Sequence, residues 1–249
     1  MRRYFLYLAY DGASFHGWQV QPNARTVQGE LEQALCTLLR QPISVTGAGR
    51  TDTGVHAHKM VAHIDLPEEV DAPQLVYRLN RLLSREIHII DMRAVKSDAH
   101  ARFDATLRTY HYQVTIEESP FTQRYHLYLP STPDFEAMNE AASHLLGEHD
   151  FTTFSKVGSD VHTHLCTVTA ASWQEIGHGE WRFVFSANRF LRNMVRATVG
   201  TLLDVGRGKL TPKDFLHALR ARDRSLASSS AIADALFLYN VKYPEELFL

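Results

Sequence analysis

The chain has 249 residues, 45% of them hydrophobic and 22% charged, with a formal charge of −2. That mix can bury a core and excludes a mainly disordered chain, and the lack of any run of about 18 apolar residues excludes a transmembrane helix. Only Cys36 and Cys166 occur, which argues against a disulfide scaffold or a cysteine zinc site and favours a reducing cytoplasm.

Residues 3–11 alternate apolar and polar and read as a strand, not a signal peptide. Thr26 is placed as the N-cap of a helix whose apolar positions Val27, Leu31, Ala34, Leu35, Leu38 and Leu39 recur at helical spacing. Residues 43–46 read as a strand, 47–54 as a glycine-rich turn, 59–66 as a strand, 73–83 as a helix and 87–95 as a strand. This first half runs β-α-β-β-α-β. The second half repeats the theme with strand 109–116, helix 134–146, strands 166–175 and 181–187, a long helix 189–205, a helix 211–222 and a closing strand 236–243. Thr211, Pro212 and Asp214 mark the start of the last helix as N-cap, first position and first turn. The expected fold class is α+β, with two ferredoxin-like halves, 1–100 and 101–249.

The global charge hides an asymmetry. Between residues 182 and 224 there are eight arginines, two lysines and three aspartates, a balance of +7, so the rest of the chain carries −9. A concentrated basic segment can hold phosphates even on an acidic protein, because the local field is what matters within a Debye length. A solvated charged face is the other reading.

The most informative segment is Gly47-Ala-Gly-Arg-Thr-Asp-Thr-Gly-Val-His-Ala57. It lacks the Gly-Lys-Ser/Thr ending of a P-loop, and an alternating strand follows it where a dinucleotide fingerprint needs a helix. What remains is one carboxylate, Asp52, two residues from the Arg50 guanidinium. A neighbouring guanidinium favours the ionised carboxylate, and an ionised carboxylate suits a nucleophile better than a general acid. An aspartate that bonds its own turn is the structural alternative. Within the predicted helix from residue 189, Phe190, Leu191, Met194, Val195, Thr198, Val199, Leu202 and Leu203 form a core face. Arg189, Arg192, Arg196 and Gly200 fall on one stripe, suited to phosphates, to a buried carboxylate or simply to solvent.

Tyr110 and Tyr112 share one face of a predicted strand, where tyrosines either stack a nucleobase or pack. Core packing is the default for Phe15, Trp18, Phe151 and Phe154. Cys36 falls at the apolar spacing of its helix and reads as a core thiol. His56, His58 and His63 invite a metal site, but no cysteine lies nearby and the segment reads as a half-buried strand, so no metal is expected. A glycosidase would need a second carboxylate, and none can be placed. Chemistry alone leads to an RNA- or DNA-directed protein with one arginine-supported carboxylate.

Five motifs in order then carry a resemblance that covers nearly the whole chain. They are Tyr10-Asp-Gly-Ala-Ser-Phe-His-Gly-Trp-Gln19, segment 47–57, Arg108-Thr-Tyr-His-Tyr112, His149-Asp-Phe-Thr-Thr-Phe154, and Phe190-Leu-Arg-Asn-Met-Val-Arg196 with Val199-Gly-Thr-Leu-Leu-Asp-Val-Gly206. Together they resemble the tRNA pseudouridine synthase A family. The resemblance implies the pseudouridine synthase fold: two ferredoxin-like halves sharing an extended, mostly antiparallel sheet with a central cleft. It implies Asp52 as the catalytic aspartate, Tyr110 stacked on the target base, Arg196 paired with Asp52, and Arg50, Arg192 and Arg189 as further substrate-binding residues. The family isomerises uridines 38, 39 and 40 in the anticodon arm of tRNA, uses no metal or organic cofactor, and works as a homodimer with one tRNA across both protomers.

This chain departs from the pattern at Thr53, where alanine is usual, and at Cys166-Thr-Val168, where an Arg-Thr-Ile-like triplet is common. Segment Ala231-Ile-Ala-Asp-Ala-Leu236 lacks the usual proline and glycine, which bears on the pocket wall. Two other classes compete with the isomerase. One is a non-catalytic tRNA-binding or folding protein. The other is a metal-dependent RNA hydrolase using His56 and His58, which lacks the carboxylate cluster such chemistry needs.

Overall fold

The computed structural model describes residues 1–67, 70–158, 162–177 and 179–249. Its Cα packing divides the chain into two compact units, one of Met1–Thr106 with Phe237–Leu249 and one of Leu107–Leu236. The fold is α+β.

The first unit opens with β1 (Arg2–Tyr10), followed by α1 (Val27–Leu39), β2 (Thr46–Gly47), β3 (His56–Leu66), α2 (Ala72–Leu82) and β4 (Ile87–Ala94). The β-α-β-β-α-β order is as expected. β1 lies between β3 and β4, antiparallel to both. Only Thr46 and Gly47 pair as β2, so the strand expected at 43–46 is corrected to these two residues, which match His63 and Ala62. Ile43 and Val45 are buried outside any ladder: burial supplied the apolar pattern without strand pairing. β3 begins three residues earlier than its alternation indicated, at His56.

Capping sets the helix starts. Thr26 accepts the Gly29 N–H at the head of α1, and Asp71 accepts the Gln74 N–H at the head of α2. α1 buries Val27, Leu31, Ala34 and Leu35. Cys36 is half-buried, so its reading as a core thiol is corrected; it lies beside the buried stripe, one residue past Leu35. The core of this unit gathers Phe5, Leu6, Leu8, Leu31, Leu35, Met60, Val61 and Leu79.

The second unit holds β5 (Leu107–Thr115), β6 (Leu127–Tyr128), α3 (Phe135–Ser143), β7 (Gly147–Asp150), β8 (Leu165–Gly177), β9 (Glu180–Ala187), α4 (Met194–Gly206) and α5 (Pro212–Ala221). Its sheet runs β5-β9-β8-β7, antiparallel throughout, with β6 parallel on β5. The Thr211/Asp214 capping box and Pro212 start α5 as predicted. Tyr112, Phe151, Phe154, Phe183, Phe185 and Phe215 fill the core. The chain then returns to the first unit, where β10 (Leu236–Lys242) pairs in parallel with β3, Phe237 opposite His56.

Candidate active site

The loop that carries Asp52 runs between β2 and β3. It starts with the Ala48 N–H donating to Val61 O at 2.7 Å. The segment from Tyr10 to Trp18 clamps the rest. The Tyr10 and Thr51 hydroxyls share a buried hydrogen bond of 2.9 Å. The Trp18 N–H donates to Thr51 O at 3.2 Å, and the Gly54 N–H donates to Phe15 O at 3.4 Å. Gly12 lies so close to the loop that a β-carbon there would stand 2.1 Å from Val55 O. Phe15 and Trp18 are buried, as expected of packing residues.

The clamp gives the loop an inside and an outside. Thr51 is buried, Asp52 is part-exposed, and Arg50 and Thr53 are exposed. The turn closes through its backbone, with the Val55 N–H donating to Asp52 O at 3.2 Å. Downstream, His56 Nδ1 accepts the Gly12 N–H at 3.0 Å, and its ring stacks on Phe237. His58 also stacks on Phe237. Among the described residues no cluster of three or more His, Cys, Asp or Glu side chains is arranged to hold a metal ion. The importance of Tyr10 and Gly12 was open to sequence reasoning only as a motif; the burial of the Thr51 hydroxyl gives it a cause.

In the second unit Tyr110 and Tyr112 share a face of β5 but differ in access. Tyr110 is part-exposed and meets Phe190 edge-on at 4.9 Å. Tyr112 is wholly buried, its hydroxyl has no hydrogen-bond partner among the described residues, and burial pushes its phenol well above the usual value. Of the two, Tyr110 alone reaches solvent.

The long helix expected from residue 189 begins at Met194. Asn193 stands at its head in the left-handed region, φ 66°, which asparagine tolerates better than most residues. Arg189 and Arg192 therefore lie in the preceding loop, and the expected stripe through Arg189, Arg192, Arg196 and Gly200 does not form. The cause is packing. Phe190 sits edge-on to Phe185 at 5.0 Å, Arg192 O accepts the Lys156 N–H at 3.0 Å, and the Met194 N–H closes a turn on Leu191 O at 3.1 Å, which together keep residues 189–193 out of the helix. Arg192 is exposed and Arg189 part-buried. Arg189 faces Cys166, whose thiol burial pushes up to about 11.

α4 is buried on nearly every side, so it has no solvated arginine face. Arg196 and Asp204 are its part-exposed charged residues. Arg196 Nε donates to Ala231 O at 2.7 Å, while its own carbonyl accepts the Ala231 N–H at 2.9 Å. Asn193 Nδ2 donates to Ser230 Oγ at 2.7 Å, and the Ser228 N–H donates to Thr201 Oγ1 at 3.1 Å. A β-carbon on Gly200 would stand 2.0 Å from Ser229 O. Residues 228–231 are thus strapped along α4. The chain then turns, with the Leu236 N–H on Ala233 O, and Ala235 O accepts the Gln113 N–H beside the tyrosines. This strap was not foreseen; the run Ser228-Ser-Ser230 after Arg224 was its only sequence signal.

A family model described as tRNA pseudouridine synthase matches residues 7–104 and 141–244. A protein named tRNA pseudouridine synthase A from Porphyromonas gingivalis is 54% identical, over all of this chain and all of its own length. Proteins of the same name from Bacteroides thetaiotaomicron and Parabacteroides distasonis are each 52% identical over the whole of this chain, covering 93% and 98% of their own lengths. The two matched stretches take in the Asp52 loop, its clamp, α4 and the strap. The chain belongs to the tRNA pseudouridine synthase family.

Proposed function

We propose that this chain isomerises uridine to pseudouridine at positions 38, 39 and 40 of the tRNA anticodon arm, with Asp52 as its catalytic carboxylate. The observation that carries the reading is the clamped loop: Thr51 is locked inside, so Asp52 is held at the surface of a rigid turn.

The chemistry balances within the nucleoside. The bond from ribose C1′ to N1 breaks and a bond from C1′ to C5 forms. C5 loses a proton and N1 gains one. No electron enters or leaves and no atom is lost, so the step consumes no cofactor or metal. An ionised carboxylate near C1′ can attack the sugar, attack the base or take a sugar proton. The base must first leave the stack, at a cost of a few kcal/mol. Tyr110, part-exposed on a strand fixed by its neighbours, is suited to stack the displaced uracil. Arg50 and Arg192, both exposed, are suited to phosphates, with Arg189 and Arg196 as further cations of the substrate surface. A homodimer sharing one tRNA in the cytoplasm completes the reading.

The test is to incubate the protein with unmodified tRNA transcripts, in chelator, and to map pseudouridine by carbodiimide treatment and primer extension. Signal at positions 38 to 40 is expected. Asp52→Ala should cut it at least about a thousandfold while tRNA affinity stays within about threefold. Turnover by that variant, or wild-type binding with no signal, would overturn the proposal.

A further inference from the structure

Four rings form a continuous row in the first unit. His56 and His58 stand two residues apart on β3 and both stack on Phe237, at 4.6 and 5.1 Å with interplanar angles of 21° and 20°. Tyr239, two residues along β10, meets His58 edge-on at 5.7 Å. The parallel pairing of Phe237 with His56 sets the row. His56 and Phe237 are buried, whereas His58 is exposed and Tyr239 is 46% exposed. The inner two rings are a footing, and the outer two meet solvent.

Packing buries the footing but leaves the outer pair open to solvent. A sheet position facing water is ordinarily polar. Here two flat rings are held against a fixed base, which is the arrangement that stacks nucleobases without regard to sequence. The row begins four residues after Asp52, and its first ring is pinned by Gly12, which also seats the Asp52 loop. A platform placed there would receive a base beside the one undergoing reaction. Taking a uridine out of a stack also strips its neighbours of a stacking partner, and a protein ring can replace it.

We infer that His58 and Tyr239 stack an unpaired base flanking the target uridine. This rests on the proposed function, because it presumes a single-stranded RNA loop at Asp52. Stacking, not metal ligation, then explains why two histidines alternate at the start of β3.

The test measures binding of an unmodified anticodon stem-loop RNA by fluorescence anisotropy. The double variant His58→Ala/Tyr239→Ala should bind about tenfold more weakly, and Tyr239→Phe should keep wild-type affinity. The slope of log affinity against log salt should not change, since neither ring neutralises a phosphate. Removing the flanking base from the RNA should weaken wild-type binding by a similar factor and add nothing to the loss in the variant. Unchanged affinity of the double variant would overturn the inference. So would a loss that persists fully with the abasic RNA, or one traced by sedimentation to dissociation of a second copy. Binding is read apart from turnover: a wild type that shows this pattern yet makes no pseudouridine defeats the proposed function and not the platform.

Discussion

The Asp52 loop and the strap along α4 are both held by a backbone carbonyl seated on a glycine, Val55 O on Gly12 and Ser229 O on Gly200. They differ in what else does the holding. Around Asp52 the clamp bonds run through Thr51, Gly54 and Val55. Along α4 the charged side chain is itself a fastener, Arg196 Nε on Ala231 O. In the first region, then, the side chain proposed for the chemistry, Asp52, is not one of those that make the clamp bonds described. In the second, the fastening and the proposed substrate contact fall on one arginine, so a substitution there disturbs the fold whatever it does to binding.

The hardest blow to both regions is a methyl group at their glycines. Gly12→Ala and Gly200→Ala each push a β-carbon into a carbonyl oxygen, and each should destabilise by about 3 kcal/mol or more. Thermal melts check this. A variant that melts like the wild type would show that its loop is not seated as described. A smaller effect separates the two arginines. Arg196→Ala should cost about 2 kcal/mol by leaving Ala231 O without its charged donor, and Arg196→Lys should not restore it, because lysine cannot reproduce the guanidinium geometry. Arg192→Ala should leave the melt within about 0.5 kcal/mol and instead weaken tRNA binding, lowering the salt slope by about one. Equal melts for Arg196→Ala and Arg192→Ala would break the comparison.

A further effect is set by acid. His63 pairs with Thr46 at the root of the Asp52 loop and accepts the Ala101 N–H at 3.2 Å. Burial, helped by Arg3, pushes its imidazole down to about 4 from 6.5. The unfolded chain therefore takes up this proton first as pH falls. The stability it contributes is fully present above about pH 6.5 and is lost as pH drops towards 4, by roughly 1–2 kcal/mol for a part-buried ring. Urea melts across that range should show the slope, and His63→Asn should flatten it.

The architecture was largely legible because it rests on local signals. Thr26 and Thr211, read as N-caps, each cap the helix that starts next to them. Asp52, Arg50 and Tyr110 could be singled out from residue type, spacing and family resemblance. The misreadings arose where tertiary contacts overrode a local pattern. Residues 189–193 have helical spacing, yet Phe190 packs on Phe185, Arg192 O is taken by the Lys156 N–H, and the chain turns at 191–194 with Asn193 left-handed, so the helix starts only at Met194. Ile43 is apolar because it is buried, not because it pairs. The strap left only its serine run in the sequence, since small polar residues gain a definite course only from the helix they lie on.

The parallel pairing of β10 with β3 has a consequence for synthesis. The strand that follows the Asp52 loop receives its neighbour from residues made some 180 positions later. During translation the His56–Ala57 end of β3 stands unpaired on the flank that β2 serves only at Ala62 and His63, until Phe237 and Leu238 leave the ribosome, and domains otherwise tend to fold in the order they emerge. Two other late contacts reinforce this: the Lys96 N–H donates to Leu247 O, and Tyr243 OH donates to Ala101 O. The earliest-made half of the molecule is therefore finished by its last-made strand, and a nascent chain cut short before residue 236 carries Asp52 on an incomplete sheet.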